Sequence, residues 1–436
     1  MDSLFTQQAA LNSIDKNLYA YDKRHGWRDP LNLSNRIPEI VFTELRNQNI
    51  DILYEKSNLK DELGMNQLFI SIIRDYFENS TNLEKHMGGI VIDVKPERII
   101  YLNNFFKLES LFWRDQYKWA RRKINIDKLG PIPSNFYDIL RSGDFIYLTN
   151  IDGEYYLDQI PEAEAAFISV NPKNGAIKTY VGGLNFSNSN FDRVKQSFPQ
   201  AGSSFKPFIY ASAFANGYNA SDKINDAPII FEDSNLESSW RPENYTGKFY
   251  GPIRLREALI QSVNLVSIKL LREMGISTTQ DFLTKFGFEK SRLAPDLSLA
   301  LGSSSFSPAE MVNRNGDVIY KHSNSVEDKK FENSVDAFPW FQTQIADEIK
   351  PFNLLSPLST NSNSIDPRIT FITKDILREA LSRGSNARQV GVLKRDDIAG
   401  KTGTTNNAIS TWFSGFHNNL ATTVWIGTDD FSSLGD

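Results

Sequence analysis

The feature that most restricts how this chain folds is a change of apolar period at Met87-Gly88-Gly89. Before it the sequence reads as helices and loops. Ile37 to Asn47 and Asn66 to Phe77 carry apolar residues at helical spacing, and Arg24 to Pro30 is rich in turn residues. After it come short β-branched runs, Ile90 to Val94 and Ile99 to Leu102, then Asp144 to Leu148 and Glu154 to Leu157 around Asn150 to Gly153. Strands this short, separated by turn residues, predict a small antiparallel barrel or sheet over residues 88–160. Such a module reads as accessory rather than catalytic.

A third regime begins at Glu164. Ala165 to Val170 and Ala176 to Val181 flank Asn171-Pro-Lys-Asn-Gly175, which reads as a hairpin. Helices are predicted at Lys206 to Ala215, Leu255 to Met274 and Thr279 to Phe286. Strands return at Ile398 to Thr405, Thr411 to Phe416 and Thr422 to Thr428. The order predicts an α+β or three-layer arrangement. Asn313 to Asp366 is polar and irregular and reads as loops. At 436 residues the chain is too long for one core. The predicted parts are a helical pedestal or linker region 1–87, a β domain 88–160, and an α+β domain 161–436.

Composition removes several chemistries. There is no cysteine, so disulfides, thiolate nucleophiles and zinc ribbons are excluded. The four histidines lie far apart without metal-ligand spacing, so no metal, no cofactor and no Ser-His-Asp triad is expected. With 48 basic and 53 acidic residues the net charge is −5, and no basic stripe points to nucleic acid. No apolar run is long enough for a membrane helix and no signal peptide is read at the start, so a soluble chain is expected.

The chemistry rests on three short motifs in order. Ser-x-x-Lys occurs three times, at Ser13/Lys16, Ser57/Lys60 and Ser203/Lys206, and alone means little. Ser-x-Asn recurs as well, at Ser80/Asn82, Ser169/Asn171 and Ser359/Asn361 besides Ser262/Asn264. Lys-Thr-Gly occurs once, at Lys401-Thr402-Gly403. Taken singly, Ser203 reads as a helix cap and Lys401 to Thr404 as an exposed strand end. Taken in order, Ser203/Lys206 opens a helix, Ser262-Val263-Asn264 starts an apolar helical run, and Lys401-Thr402-Gly403-Thr404 lies on a strand.

A serine hydroxyl needs a base, and without a usable histidine that base is lysine. An ordinary lysine is neutral at pH 7 only about once in two thousand, a penalty of roughly 4–5 kcal/mol. Burial and a second cation, here Lys401, favour the neutral form. The expected roles are Ser203 as nucleophile, Lys206 as base, Ser262 as proton relay, and Asn264 as the group positioning Lys206 and a substrate amide. Backbone N–H groups of Ser203 and Thr404 are expected to hold the oxyanion, at about 3–4 kcal/mol per donor. Thr402 and Thr404 suit a substrate carboxylate, and Gly403 is expected to let a substrate backbone approach.

Gln200-Ala-Gly-Ser-Ser-Phe-Lys-Pro-Phe-Ile-Tyr210 resembles the nucleophile segment of class A penicillin-binding proteins of the 1A type. Trp240 to Pro252, Leu255-Arg-Glu-Ala258, Ser262 to Ile268 and Ala399 to Asn406 continue the resemblance. Tyr21 to Trp27 and Lys118 to Arg122 are similar to that family's pre-transpeptidase region. The resemblance implies an OB-like domain at 88–160 and a penicillin-binding transpeptidase domain beyond it. It implies attack of Ser203 on the D-Ala-D-Ala bond of a peptidoglycan stem peptide, acyl transfer to a neighbouring amine, and acylation of Ser203 by β-lactams. It further implies the periplasmic face of the bacterial inner membrane and partners in cell-wall synthesis.

Against the family pattern, the membrane anchor and glycosyltransferase domain are expected to be missing, so glycan polymerisation is not assigned. The transpeptidase domain is expected to be internally shortened after about residue 312 and truncated at its C-terminus. Three outcomes stay open at this level: an active DD-transpeptidase, a DD-carboxypeptidase or β-lactamase-type hydrolase, or a truncated relic that binds without turnover.

Overall fold

A computed structural model describes residues 3–37, 39–46, 77, 86–105, 107–172, 175–186, 189–229, 240–312, 365–384 and 393–435. The helical spacing over 66–76 and most of the stretch after 312, where the shortening is expected, lie outside these residues. The described chain forms two compact units. One comprises Ser13–Ala163, Leu184–Asn190 and Gly435–Asp436; the other Met1–Asn12, Glu164–Gly183 and Phe191–Leu434. Helix α1, Ser3–Arg24, contributes to both.

The first unit holds α2, Glu39–Arg46, and strands β1 His86–Lys95, β2 Arg98–Asn103 and β3 Leu108–Phe112. A short ribbon of β4 Lys123–Asn125 and β5 Lys128–Leu129 follows, then β6 Phe145–Ile151 and β7 Glu154–Asp158. The main sheet is antiparallel in the order β3-β2-β1-β6-β7. The apolar run Ile90-Val91-Ile92 does not alternate because both faces of β1 are covered. Val91 packs with Trp27, Tyr117, Phe136 and Ile146. Ile90 and Ile92 pack with Leu33, Ile37 and Phe42. Each such side chain contributes about 1.5–3 kcal/mol of burial. Helix α2 and the part of α1 from Ser13 onward share a compact unit with this sheet.

The second unit is built on β8 Glu164–Val170, β9 Ile177–Val181, β12 Ala399–Thr404, β13 Ser410–His417 and β14 Leu420–Gly427. The strand order is β12-β13-β14-β8-β9, all antiparallel, so the hairpin β8–β9 joins strands more than two hundred residues later. Trp412 and Trp425 are fully buried in its core.

Helix α3, Lys206–Ala215, is buried at every position but its last, as expected of a helix inside a core. Strands β10 Lys223–Asp226 and β11 Gly251–Arg254 pair as a ribbon. Next come α4 Leu255–Ile260, α5 Asn264–Met274 and α6 Ile276–Leu283.

Two findings differ from the sequence reading. Leu255 to Met274 is not one helix: Ser262 takes φ 57° and Val263 is extended, which stops α4 and restarts α5 at Asn264. Left-handed backbone costs a non-glycine residue about 1–2 kcal/mol, so tertiary contacts must hold Ser262 there. The second is helix α7, Pro367–Arg383, which the sequence reading passed over. Pro367 sits in its first turn and Asp366 accepts a hydrogen bond from Arg368 N. Ile376, Leu377 and Ala380 enter the core at helical spacing.

Candidate active site

Residues Gly202–Phe205 form a 3₁₀ turn that runs directly into α3. In a 3₁₀ turn positions i and i+3 eclipse, which brings Ser203 and Lys206 to one side. The turn is clamped from three directions. Ala201 N donates to Ser304 O at 3.1 Å and Gly202 N to Gly302 O at 2.9 Å. Trp412 Nε1 on β13 donates to Gln200 O at 2.8 Å. Ser203 itself is half-buried. No hydrogen bond joins its hydroxyl to Lys206 among the described residues.

Gly403 adds a contact that the sequence reading did not name. A Cβ there would lie 2.8 Å from Ser204 N and 2.9 Å from Ala201 O. Glycine at 403 therefore permits a close approach of β12 to the backbone of the Gly202–Phe205 turn. Gly202 answers from the other side: at φ 55°, its Cβ would meet Thr404 O at 2.9 Å. Turn and strand interlock through the two missing side chains.

Lys206 is completely buried. Its Nζ donates to Ser262 O at 2.7 Å, Asn264 Oδ1 at 2.7 Å and Ser262 Oγ at 3.3 Å. Burial, and after it the charge on Lys401, hold its proton affinity well below that of an ordinary lysine. A neutral amine has two N–H groups and one lone pair. The two carbonyl oxygens at 2.7 Å take both N–H groups and leave the lone pair for a hydroxyl.

The break between α4 and α5 makes this possible. The left-handed turn at Ser262 turns its carbonyl and its hydroxyl toward the same amine. Asn264 is fixed at its other end, with Nδ2 donating to Glu243 O at 2.8 Å. One N–H of that amide remains for a ligand, so the expected contact with a substrate amide keeps a donor.

Lys401 is buried on β12, and burial alone lowers its proton affinity from 10.5 to about 7. Its Nζ donates to Thr402 O at 2.9 Å. The strand pleat puts Lys401 and Gly403 on the buried side, whereas Thr402 is half-buried and Thr404 exposed. All eight residues singled out in the sequence thus belong to one unit and three segments: the Gly202–Phe205 turn running into α3, the α4–α5 break and the edge strand β12. No cluster of metal-ligating side chains occurs among the described residues. Sequence reasoning missed Asp226 and Asn244, which hold the start of α5. Asn244 lies inside the Trp240 to Pro252 segment already singled out, but a resemblance carries no hydrogen-bond partner.

The penicillin-binding protein transpeptidase domain, as a family model, matches residues 165–428. This chain belongs to the penicillin-binding transpeptidase family. The penicillin-binding protein OB-like domain matches residues 70–163. Penicillin-binding protein 1A of Pseudomonas aeruginosa is 34% identical over 98% of this chain and 53% of its own length. The protein of the same name from Escherichia coli is 28% identical over 97% of this chain and 53% of its own length. The chain thus spans about half the length of the curated relatives it matches. The crystal structure of penicillin-binding protein 1A from Haemophilus influenzae has a TM-score of 0.69 at 28% identity. That match covers 98% of this chain and 62% of the other. The chain has the penicillin-binding transpeptidase fold, of mixed helix and antiparallel sheet, together with an OB-like domain.

Proposed function

We propose that this chain is a serine DD-transpeptidase that cross-links peptidoglycan stem peptides through a Ser203 acyl-enzyme, and that β-lactams acylate the same oxygen. The carrying observation is the buried Lys206, held by Ser262 and Asn264 one 3₁₀ turn from Ser203. In this reading Lys206 Nζ takes the Ser203 proton as Oγ attacks the carbonyl of the D-Ala-D-Ala bond. Backbone N–H groups of Ser203 and Thr404 stabilise the oxyanion. As the C–N bond breaks, the proton passes through Ser262 Oγ to the departing D-Ala amine. An amine of a neighbouring stem then attacks the acyl-enzyme and the proton moves run in reverse. Thr402 and Thr404, on the more open side of β12, take the substrate carboxylate, with Lys401 as the neighbouring cation.

The same reading divides the chain into 1–87, 88–160 and a transpeptidase domain 161–436, and sets its work at the periplasmic face of the inner membrane among cell-wall synthesis partners. No helix of the described residues is long and apolar enough to cross a membrane. Incubation with a fluorescent penicillin tests the proposal. A stable one-to-one adduct, abolished by Ser203→Ala, is expected. Rapid turnover of the adduct points to the hydrolase reading, absence of any adduct to a non-catalytic chain, and labelling of Ser203→Ala removes the nucleophile assignment.

A further inference from the structure

Asp226 on β10 is 1% exposed and Asn244 is 6% exposed. No ion pair of Asp226 occurs among the described residues. Its carboxylate accepts from Asn244 Nδ2 on both oxygens, at 3.0 and 2.9 Å, and from Tyr250 N at 2.8 Å. Asn244 Nδ2 also donates to Lys248 O at 2.9 Å. With its nitrogen so committed, Asn244 presents Oδ1 to the first N–H groups of α5, accepting from Asn264 N at 3.0 Å and Leu265 N at 3.3 Å. An ionised carboxylate only accepts hydrogen bonds. Asp226 therefore fixes which way round the Asn244 amide sits. The reverse orientation would set its NH₂ against the N–H of Asn264.

The dipeptide Glu243-Asn244 then grips Asn264 at both ends. Glu243 O takes the side-chain amide and Asn244 Oδ1 takes the backbone N–H. What remains is Asn264 Oδ1, aimed at Lys206 Nζ at 2.7 Å.

We propose that Asp226 and Asn244 are positioning residues for the acylation step, fixing Asn264 and through it the direction of the Lys206 lone pair. The proposal rests on the function assigned above. Neither residue touches the reacting atoms. The groups that face Lys206 are Ser262 and Asn264 from the α4–α5 break and Lys401 from β12, so Lys401 is the charged neighbour to hold constant.

The test uses the full chain. Asp226→Asn is isosteric but sets a donor against Asn244 Nδ2. It is expected to slow acylation by a labelled penicillin about tenfold, the worth of roughly one hydrogen bond at 1.4 kcal/mol per decade. An acceptor carbonyl favours the charged amine, so freeing Asn264 also moves the acid limb of the rate–pH profile to lower pH. Asn244→Asp, which opposes two carboxylates, is expected to lose more. The exchanged pair Asp226→Asn/Asn244→Asp restores donor against acceptor between the two side chains but sets a carboxylate oxygen against Lys248 O, and is expected to recover part of the rate lost in Asn244→Asp.

A second readout needs no activity: the pH titration of the Lys206 ¹³Cε resonance, assigned with Lys206→Met, is expected to move down in Asp226→Asn. If the wild-type protein takes no penicillin, the proposed function falls while this titration still reports on the clamp. Wild-type rate and titration in Asp226→Asn would overturn the inference. So would a loss that follows the folded fraction with the acid limb unmoved.

Discussion

Replacing Lys401 by methionine separates what the site needs from what the fold prefers. The side chain is 5% exposed and its proton affinity falls from 10.5 to about 7 through burial. Between those two values the unfolded chain carries a proton on Lys401 that the folded chain does not. Stability therefore rises with pH across that interval, at about 1.36 kcal/mol per pH unit. The full interval is worth about 4–5 kcal/mol, present as a cost below pH 7 and relieved by pH 10.5. Lys401→Met removes this dependence at nearly constant volume. The bond to Thr402 O is lost as well, an offset of about 1 kcal/mol that does not vary with pH. Urea unfolding of both proteins from about pH 6 to about pH 10 reads the result. The variant's advantage should be largest at about pH 6–7 and shrink by about 1.4 kcal/mol for each pH unit above it. Penicillin acylation should fall in the same variant. Its acid limb should shift to higher pH, because Lys206 loses the neighbouring charge that lowers its proton affinity. A stability difference that stays flat between about pH 7 and about pH 10 would refute the reasoning, since Lys401 would then be protonated in the fold.

Further tests address the backbone. Ser262→Gly relieves a residue at φ 57° and should raise the urea midpoint by the equivalent of up to about 1 kcal/mol, while removing the hydroxyl 3.3 Å from Lys206 Nζ. The acylation rate of that variant should drop at least tenfold; an unchanged rate would remove Ser262 as the proton relay. Gly403→Ala drives a methyl against the backbone of Ser204 and Ala201 and should cost about 1–3 kcal/mol, read by thermal unfolding. Acylation should fall with it, because neither the turn nor the strand can yield without moving Ser203. A fully stable, fully active Gly403→Ala would show that the interlock is looser than described.

What was legible in the sequence follows the reach of the interactions concerned. The strands of the second sheet, β1, β2, β6 and β7 of the first, and helix α3 show in the chain because period and turn residues are local, whereas β3, Leu108–Phe112, was not read. The eight candidate residues were singled out by three motifs in order, none of which means much alone, and the fold gathers them into one unit. The break at Ser262 was not, because the apolar spacing runs through it and the cause is a lysine 56 residues away. Helix α7 carried a proline start and apolar spacing, and was passed over because polar, irregular sequence runs up to Asp366. Gly403 was read as an opening for substrate since a glycine in a strand marks close approach without naming what approaches. The Asp226–Asn244 pair spans two segments with no shared period, so only the folded chain brings it to the start of α5.

Among the described residues the strand order places β12, which carries Lys401 to Thr404, at the margin of its sheet, with β13 as its one strand neighbour. A margin strand is an invitation to any extended backbone, and proteins usually shorten, charge or cover such strands to avoid aggregation. Here the strand is only six residues long, and its buried flank is locked to the nucleophile turn through Gly202 and Gly403. Growth of the sheet in that direction is limited to a short peptide laid beside Lys401 to Thr404. In the function proposed above, that short margin is where a single extended stem peptide lies, and the same shortness limits edge-to-edge pairing with a second copy.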